Sequence, residues 1–314
     1  MKTILAARAS AILYNLLSSK NAKRAFLLPA NICPIVPITF FKAQMPFEFI
    51  DISTETLNMD LERAESLIKT GKYGGLLYAH TYGEPSTPND FFLDIKNNHP
   101  DLLIIDDRCL CTPNTMTDPA SKADVILYST GYSKIVDQNH GGFAFIRDNL
   151  NYPSQSLPFH PKDLDELEKS YKKSVEAKEA FSYTDSDWLE IDADPPPWSE
   201  FAEDVRTAKE SSKAHRLSIN AVYNSAIPAS LQLSEPYQLW RFNIRVPNKM
   251  KTLGAIFKAR LFASSHYSSL AGIMGEGTCP NAEQLAGEVI NLFNDFHYTI
   301  EMAEKTCRTI LESI

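Results

Sequence analysis

The sequence predicts an α/β protein, with a mostly parallel, mixed β-sheet sandwiched by helices and a smaller α+β domain at the C-terminal end. Short apolar runs alternate with polar helical stretches between residues 26 and 146. Several of these runs are apolar throughout, as strands covered by helices on both faces must be. After Arg147 the alternation stops, and a separate strand-and-helix pattern follows near the end of the chain.

The predicted strands are AFLLPA, FEFIDI, GGLLYAH, DLLIIDD, DVILYS and GGFAFI, the last two forming a hairpin-like pair. Between them, LNMDLERAESLIKTG has apolar residues near helical spacing and Gly71 to end it, which predicts a crossover helix. Strand, helix and strand in succession is the rhythm of a parallel sheet. At the start of the chain, MKTILAARASAILYNLL predicts a first helix with Leu5 and Ile12 on one face.

Three regions follow from this pattern. Residues 1–150 form a large α/β domain, and residues 151–234 form a linker with a helical segment and the loop DADPPPW. Residues 235–314 form the small α+β domain, in which LWRFNIRVP is β-like and a long amphipathic helical stretch runs from Asn281 to Ile314.

Composition excludes several classes of protein. The 314 residues are 44% hydrophobic and carry a net charge of -8, which offers no basic surface for nucleic acid or an anionic membrane. No apolar run reaches the about 18 residues of a membrane span, and Arg8 interrupts the only leader-like stretch. The five cysteines form no cluster with histidine at zinc spacing, so we expect no metal site and a reducing, cytoplasmic location.

Polar residues at the carboxyl ends of the predicted strands are the candidates for chemistry, because ligands of parallel sheets bind there. One strand ends in Asp106 and Asp107, and the next leads through Ser129 to Lys134. Taken singly, the acids could cap a helix and the lysine could be a solvated loop residue. The pair Gly141 and Gly142 beyond the lysine could be explained by turn formation alone.

Together these residues match the needs of a pyridoxal 5′-phosphate (PLP) enzyme. A carboxylate keeps the pyridine nitrogen protonated, so that the ring accepts electrons from a carbanion. A lysine amine forms the Schiff base and carries the proton. A hydroxyl helps to hold the phosphate.

The sequence resembles the DegT/DnrJ/EryC1/StrS aminotransferases, PLP enzymes of the aspartate-aminotransferase fold, over roughly residues 5–150 and 262–310. The segments YAHTYGEP and HYSSL look like framework motifs of that family. The resemblance implies that Lys134 is the Schiff-base lysine and Asp107 the pyridine partner. It also implies that the phosphate is bound by Ser129 together with the helix start at Ala9 and Ser10. His266 and, more weakly, Arg241 are the candidate substrate contacts, whereas His80 is expected to be structural.

Four departures from the family pattern bear on function. Cys33 stands where the family stacks an aromatic ring on the cofactor, and Leu110 replaces a glutamine that contacts it. The middle of the chain lacks the Gly-x-Asn-x-Arg segment that relatives lend to the partner subunit, and we expect no counterpart of the family's N-terminal arm, since the sequence starts close to the first phosphate motif.

The resemblance implies a PLP-dependent aminotransferase that transfers an amino group from glutamate or glutamine to a nucleotide-linked keto sugar in polysaccharide or glycan biosynthesis, as a homodimer. Two alternatives stay open. One is other PLP chemistry of the lyase or dehydratase type, although the dehydratases of the family replace the lysine that is retained here. The other is a non-catalytic relative that serves as a partner protein.

Overall fold

The computed structural model describes residues 1–20, 23–116, 121–191 and 195–314. Its larger sheet has seven strands in the order β1-β7-β6-β5-β4-β2-β3. These are β1 (Lys2–Ala6), β2 (Ala25–Pro29), β3 (Phe47–Ile50), β4 (Tyr73–Ala79), β5 (Leu103–Asp107), β6 (Val125–Ser129) and β7 (Gly142–Ile146). Strand β7 pairs antiparallel with both β1 and β6, and the other pairs are parallel. The predicted mixed, mostly parallel sheet is confirmed.

Helices cover both faces of this sheet, as the fully apolar strands require. They are α1 (Ala9–Ser18), α2 (Ile35–Lys42), α3 (Leu61–Ile68), α4 (Asn89–Asn98), α5 (Pro161–Ala177) and α6 (Trp198–Ala226). Alternate residues of β2 show the two layers: Phe26 and Leu28 share a buried cluster with α1 and α2, whereas Leu27 lies in the cluster with α3 and α4. Asp60 caps α3 by accepting from the Arg63 N–H, so the predicted crossover helix starts later than its apolar pattern.

A three-stranded antiparallel sheet forms the small domain, with β10 (Val289–Leu292) between β8 (Phe242–Arg245) and β9 (Ala263–Ser264). Three helices accompany it: α7 (Lys249–Lys258), α8 (Pro280–Glu288) and α9 (Ile300–Ser313). Helices α6, α7 and α9 share its buried cluster. The predicted α+β character of this region is confirmed.

Two predictions about single elements were wrong. The first helix begins at Ala9, and residues Lys2–Ala6 before it form β1, which gains a full ladder against the edge of β7. The helical stretch predicted from Asn281 to Ile314 is interrupted by β10, whose four residues are all buried. Burial in the middle of a sheet outweighs the amphipathic pattern that suggested one continuous helix.

The region after β7 is ordered by contact with the large domain. Residues 150–191 place apolar side chains, including Leu167, Phe181, Trp188 and Leu189, in the same buried cluster as α1 and α2. The loop predicted at DADPPPW is confirmed for Pro195–Pro197, where no regular structure forms; its first residues lie outside the described ranges. None of the helices in the described parts of the chain is long and apolar enough to cross a membrane.

Candidate active site

A cavity of about 310 Å³ lies at the carboxyl ends of β4, β5 and β6, beside the first turn of α1. This is the edge of a parallel sheet where ligands bind, and its volume is at the lower end of the about 300–1,000 Å³ range of small-molecule sites. Its lining includes residues that the sequence pointed to, namely Ala9, Ser10, Cys33, Asp107, Ser129, Lys134 and Gly141. The fold therefore brings together side chains that are far apart in the sequence.

The two adjacent acids at the end of β5 lie in different surroundings. Successive side chains of a strand point to opposite faces. The Asp106 carboxylate is fully buried and contacts the His80 ring at 2.7 Å and the Arg108 guanidinium at 3.7 Å. Asp107 lines the cavity. Of the two acids, only Asp107 is placed to bind a ligand.

Asp107 is a buried carboxylate that accepts a hydrogen bond from the backbone next to it. It is 8% exposed, and one of its oxygens accepts the backbone N–H of Cys109 at 3.0 Å. Burial raises the pKa of Asp107, whereas hydrogen bonds from Cys109 and the nearby Lys134 and His80 act in the opposite direction. A cationic or N–H-bearing group in the cavity would favour the charged form further.

The loop that carries Lys134 is tied to the rest of the molecule through its backbone. Ser133 has a φ of +64°, and its carbonyl accepts from the Trp240 indole N–H at 2.8 Å. Arg216 donates to the Lys134 carbonyl at 2.9 Å, and Arg241 donates to the Ser133 hydroxyl at 2.6 Å. These bonds restrain the lysine backbone while they leave its side chain free to act.

The Lys134 amine itself has no hydrogen bond or ion pair with any residue in the described ranges. Its side chain is half-buried and lines the cavity. A surface lysine would be surrounded by water, and a structural lysine would be paired with an acid. An unpaired amine in a cavity, near a buried carboxylate, is instead available to react with a ligand.

The part of the cavity lining at the start of α1 is suited to bind an anion. Helix α1 begins after Arg8, which is extended and provides no side-chain cap, and Ala9 and Ser10 of its first turn line the cavity. Ser129 lines the same cavity, and its hydroxyl accepts from the Gly131 N–H at 3.3 Å. The N-terminus of a helix carries partial positive charge and free N–H groups.

The paired glycines allow this helix start to approach the sheet. A Cβ atom at Gly142 would lie 2.2 Å from the Ala9 nitrogen, and one at Gly141 would lie 2.5 Å from the Thr130 hydroxyl oxygen. Gly141 also has a φ of +94°, which disfavours any other residue. The glycine pair is therefore required for the close approach of α1 to β6 and β7.

A segment after β7 closes one side of the cavity. Leu164, Glu168 and Tyr171, on one face of α5, line it together with Trp188. Ion pairs anchor the segment next to the cavity, between Arg8 and Glu190 at 2.9 Å and between Lys42 and Asp185 at 3.0 Å. The wall on this side comes from the same chain.

Several solved structures have a similar architecture. No protein-family model matches the sequence, and no curated protein matches it. A DegT DnrJ EryC1 StrS aminotransferase from Brucella abortus has a TM-score of 0.70 at 15% identity, over 99% of this chain and 86% of that chain. The sugar aminotransferase CalS13 from Micromonospora echinospora has a TM-score of 0.68 at 16% identity, over 99% and 87%. An E. coli GDP-4-keto-6-deoxy-D-mannose-3-dehydratase with bound hydrated PLP has a TM-score of 0.67 at 13% identity, over 99% and 87%.

The chain has the fold of the DegT/DnrJ/EryC1/StrS aminotransferases. The fold that the sequence motifs implied is confirmed. At these identities the likeness concerns the fold and does not extend to the chemistry of the cavity.

Two cysteines and a tyrosine line the cavity of this DegT-type fold. Cys33 and Cys109 both line the cavity, and burial raises the pKa of both thiols. The Tyr267 hydroxyl interacts with the Cys33 thiol, and the Tyr267 ring stacks on Trp240 at 6.2 Å with an interplanar angle of 11°. Tyr267 thus provides an aromatic side chain next to the position where Cys33 replaces one.

The two candidate substrate contacts do not line the cavity. His266 is exposed, and its ring contacts Trp240 at 5.9 Å. Arg241 is 2% exposed and forms an ion pair with Asp295 at 2.8 Å, so its charge is already compensated. The neighbour of His266, Tyr267, is the residue of that segment that lines the cavity.

Sequence patterns missed the α5 wall and Tyr267. The wall had one usable signal, since Leu164, Glu168 and Tyr171 share a helical face in a segment that the periodicity already indicated as helix. Nothing in the sequence indicated against which part of the protein this face would pack.

A cluster of possible metal ligands lies at the start of α5, where His160, Asp163 and Asp187 come within 4.8 Å of one another. Asp163 there accepts the backbone N–H of Asp187, which explains the cluster as local structure.

Proposed function

We propose that this chain is a PLP-dependent aminotransferase in which Asp107 and Lys134 carry the chemistry. The observation that supports it most directly is the combination of a buried carboxylate and an unpaired lysine amine in one cavity, with a helix N-terminus on the same lining. The E. coli neighbour of the same fold is described with bound hydrated PLP.

The lining residues fit this cofactor group by group. PLP has an aldehyde, a basic ring nitrogen and a phosphate. Lys134 offers an amine for the aldehyde, and Asp107 offers a carboxylate for the ring nitrogen. Ser129 and the first turn of α1, with Ala9 and Ser10, offer hydroxyl and N–H donors for the phosphate.

Each residue then has a defined task. When bound, the cofactor withdraws electrons from a carbanion that forms on the substrate. The Asp107 carboxylate would hold a proton on the ring nitrogen, because an ion pair in a buried site is favoured over two separate charges. The Lys134 amine would act first as the nucleophile and then as the base that takes the proton from the α-carbon of the amino donor.

The departures in the lining change the contacts around these groups. Leu110 lines the cavity and cannot donate a hydrogen bond through its side chain. Cys33 is a small side chain that contacts less of a ring face than an aromatic residue does. These changes affect how tightly the cofactor and substrate are held, and they leave Asp107, Ser129 and Lys134 in place.

The identity of the substrate is part of the proposal. The neighbour from Micromonospora echinospora is named as a sugar aminotransferase, and the E. coli neighbour acts on a GDP-linked keto sugar. On this basis we propose a nucleotide-linked keto sugar as amino acceptor and glutamate or glutamine as donor, in glycan biosynthesis in the cytoplasm. We also propose a homodimer, as the resemblance of the sequence motifs implies.

Cofactor binding is the first test. The full-length protein with added PLP should show the visible absorption band of lysine-bound cofactor, and Lys134→Ala should lose it. Lys172→Ala is the matched control, because Lys172 lies on α5 beside the cavity and bonds to Glu168 without lining the cavity. Treatment with borohydride should attach the cofactor irreversibly to the peptide that contains Lys134. A protein that takes up no PLP would refute the proposal and would favour a non-catalytic partner role.

The reaction type is the second test. An aminotransferase incubated with glutamate or glutamine alone should convert its cofactor stably to the aminated form. A lyase or dehydratase would return the original absorption band after each turnover. Retention of that band with every donor, in a protein that does bind PLP, would replace the aminotransferase proposal with the lyase alternative.

A further inference from the structure

Each ring nitrogen of His80 lies close to an oxygen atom that accepts hydrogen bonds. Its Nδ1 atom lies 2.6 Å from the Glu84 carbonyl oxygen, and its Nε2 atom lies 2.7 Å from the Asp106 carboxylate. A carbonyl oxygen and an ionised carboxylate can only accept hydrogen bonds, whereas a neutral imidazole carries one N–H. Both contacts are satisfied when both ring nitrogens carry a hydrogen, which makes the ring an imidazolium.

The surroundings of His80 combine opposing charges in a buried site. The side chains of His80 and Asp106 are both 0% exposed. Burial acts against the charged ring, but Cys111 and Asp106 outweigh it and raise the pKa of His80 to about 10. The other titratable or charged groups on the elements around the ring are Asp107 at the end of β5, Arg108 after it, Glu84 and Tyr78. The Tyr78 ring meets the His80 ring edge-on, with 5.2 Å between the ring centroids.

His80 also belongs to the environment of Asp107. The His80 backbone N–H donates to the Asp107 carbonyl at 3.2 Å, and His80 and Asp107 line the same cavity. The positive charge of His80 lowers the pKa of Asp107, as does that of Lys134. The two cations differ in one respect. Lys134 must be neutral to act as a nucleophile, so its support for the Asp107 charge disappears when the reaction needs it.

We propose that His80 is held as an imidazolium and is a positioning residue that keeps Asp107 ionised while the Lys134 amine is neutral. The ring is tied at both nitrogens and has no role in proton transfer, so its charge persists when that of the lysine is lost. The inference rests on the proposed function in one respect, that Asp107 pairs with the ring nitrogen of PLP. The charge state of His80 is a property of the protein without any ligand.

Nuclear magnetic resonance tests the charge state directly. In the ¹⁵N-labelled full-length protein without cofactor, both ring nitrogens of His80 should resonate as protonated nitrogens at pH 7.5, with assignment by the loss of these signals in His80→Gln. A free histidine has a pKa of about 6.5 and would be mostly neutral at that pH. A neutral ring at pH 7.5, with the proton on Asp106 or absent, would overturn the inference even if PLP binds.

The positioning role is tested by the pH dependence of PLP affinity. In His80→Gln, loss of the positive charge should raise the pKa of Asp107. On acidification, the PLP affinity of this variant should therefore begin to fall at a higher pH than that of the wild type. The expected displacement is about one pH unit, the lower end of what a nearby opposite charge produces. Tyr78→Phe is the matched control, because it changes a side chain that packs on the same ring and keeps the charge; its pH profile should stay in place.

The outcomes separate the two proposals. A wild-type protein that binds no PLP refutes the proposed function, and the resonance experiment still decides the charge of His80. If affinity in His80→Gln falls by the same factor at every pH, His80 is a structural residue and the positioning role is refuted. If His80→Gln does not fold, Asp106→Asn takes its place, because loss of the carboxylate paired with the ring favours a neutral His80. PLP affinity in that variant should then also begin to fall at a higher pH than in the wild type, and a profile that stays in place while the ring resonates as neutral refutes the role.

Discussion

Substitution of Gly142 by alanine should separate α1 from the sheet and damage the anion end of the cavity. A Cβ atom there would lie 2.2 Å from the Ala9 nitrogen and 2.6 Å from both the Ala9 Cα and the Arg8 carbonyl carbon. These are backbone atoms, which cannot rotate away as a flexible side chain does. Either the first turn of α1 or the start of β7 must therefore move.

The size of the effect follows from what holds α1 in place. Its buried face includes Ala11, Ile12, Leu13, Leu16 and Leu17, so the helix cannot shift without disturbing the core. Overpacking of a well-packed site costs about 1–3 kcal/mol, and we expect the upper half of that range. Displacement of Ala9 and Ser10 should also weaken PLP binding about tenfold or more, equivalent to about 1.4 kcal/mol.

The matched control is Gly254→Ala. Gly254 is exposed in the middle of α7, and nothing lies within 4 Å of a Cβ atom there. Alanine should stabilise this helix by about 0.5–1 kcal/mol. Urea unfolding followed by circular dichroism measures both changes. If Gly142→Ala unfolds at the wild-type urea concentration while Gly254→Ala behaves as expected, the argument from close approach is wrong.

Three further predictions concern a helix cap, a buried arginine and a titrating histidine. Thr299→Ala removes the side chain that accepts the Met302 N–H at the start of α9 and should lower the unfolding free energy by about 1 kcal/mol, with recovery in Thr299→Ser. Arg216→Met leaves the Lys134 carbonyl without its donor and should lower the unfolding free energy by about 1–3 kcal/mol for each buried acceptor left unpaired. A smaller decrease in urea unfolding would contradict the conclusion that Arg216 holds the backbone of this loop. Because the pKa of His80 is raised to about 10, its stabilising contribution is complete below about pH 6.5 and is lost as the pH rises toward 10. The urea midpoint should fall over that window in the wild type and less in His80→Gln.

Much of the fold followed from local sequence patterns. The six apolar runs between Phe26 and Ile146 all form strands of the larger sheet. A strand that is buried on both faces is apolar along its whole length, so its pattern is easily recognised. Errors occurred where tertiary pairing decided the structure. Residues Lys2–Ala6 form a strand because β7 offers an unpaired edge, and Val289–Leu292 form one because the small domain needs a central strand.

The order and spacing of Asp107, Ser129 and Lys134 along the chain were sufficient to predict that they meet, since the ends of neighbouring parallel strands share one edge. What the sequence could not decide was which groups surround them. Only tertiary structure separates Asp106 from Asp107, brings Tyr267 and α5 to the cavity, and buries Arg241 against Asp295. These contacts join elements that are remote in the chain, and no local pattern encodes which remote surfaces will meet.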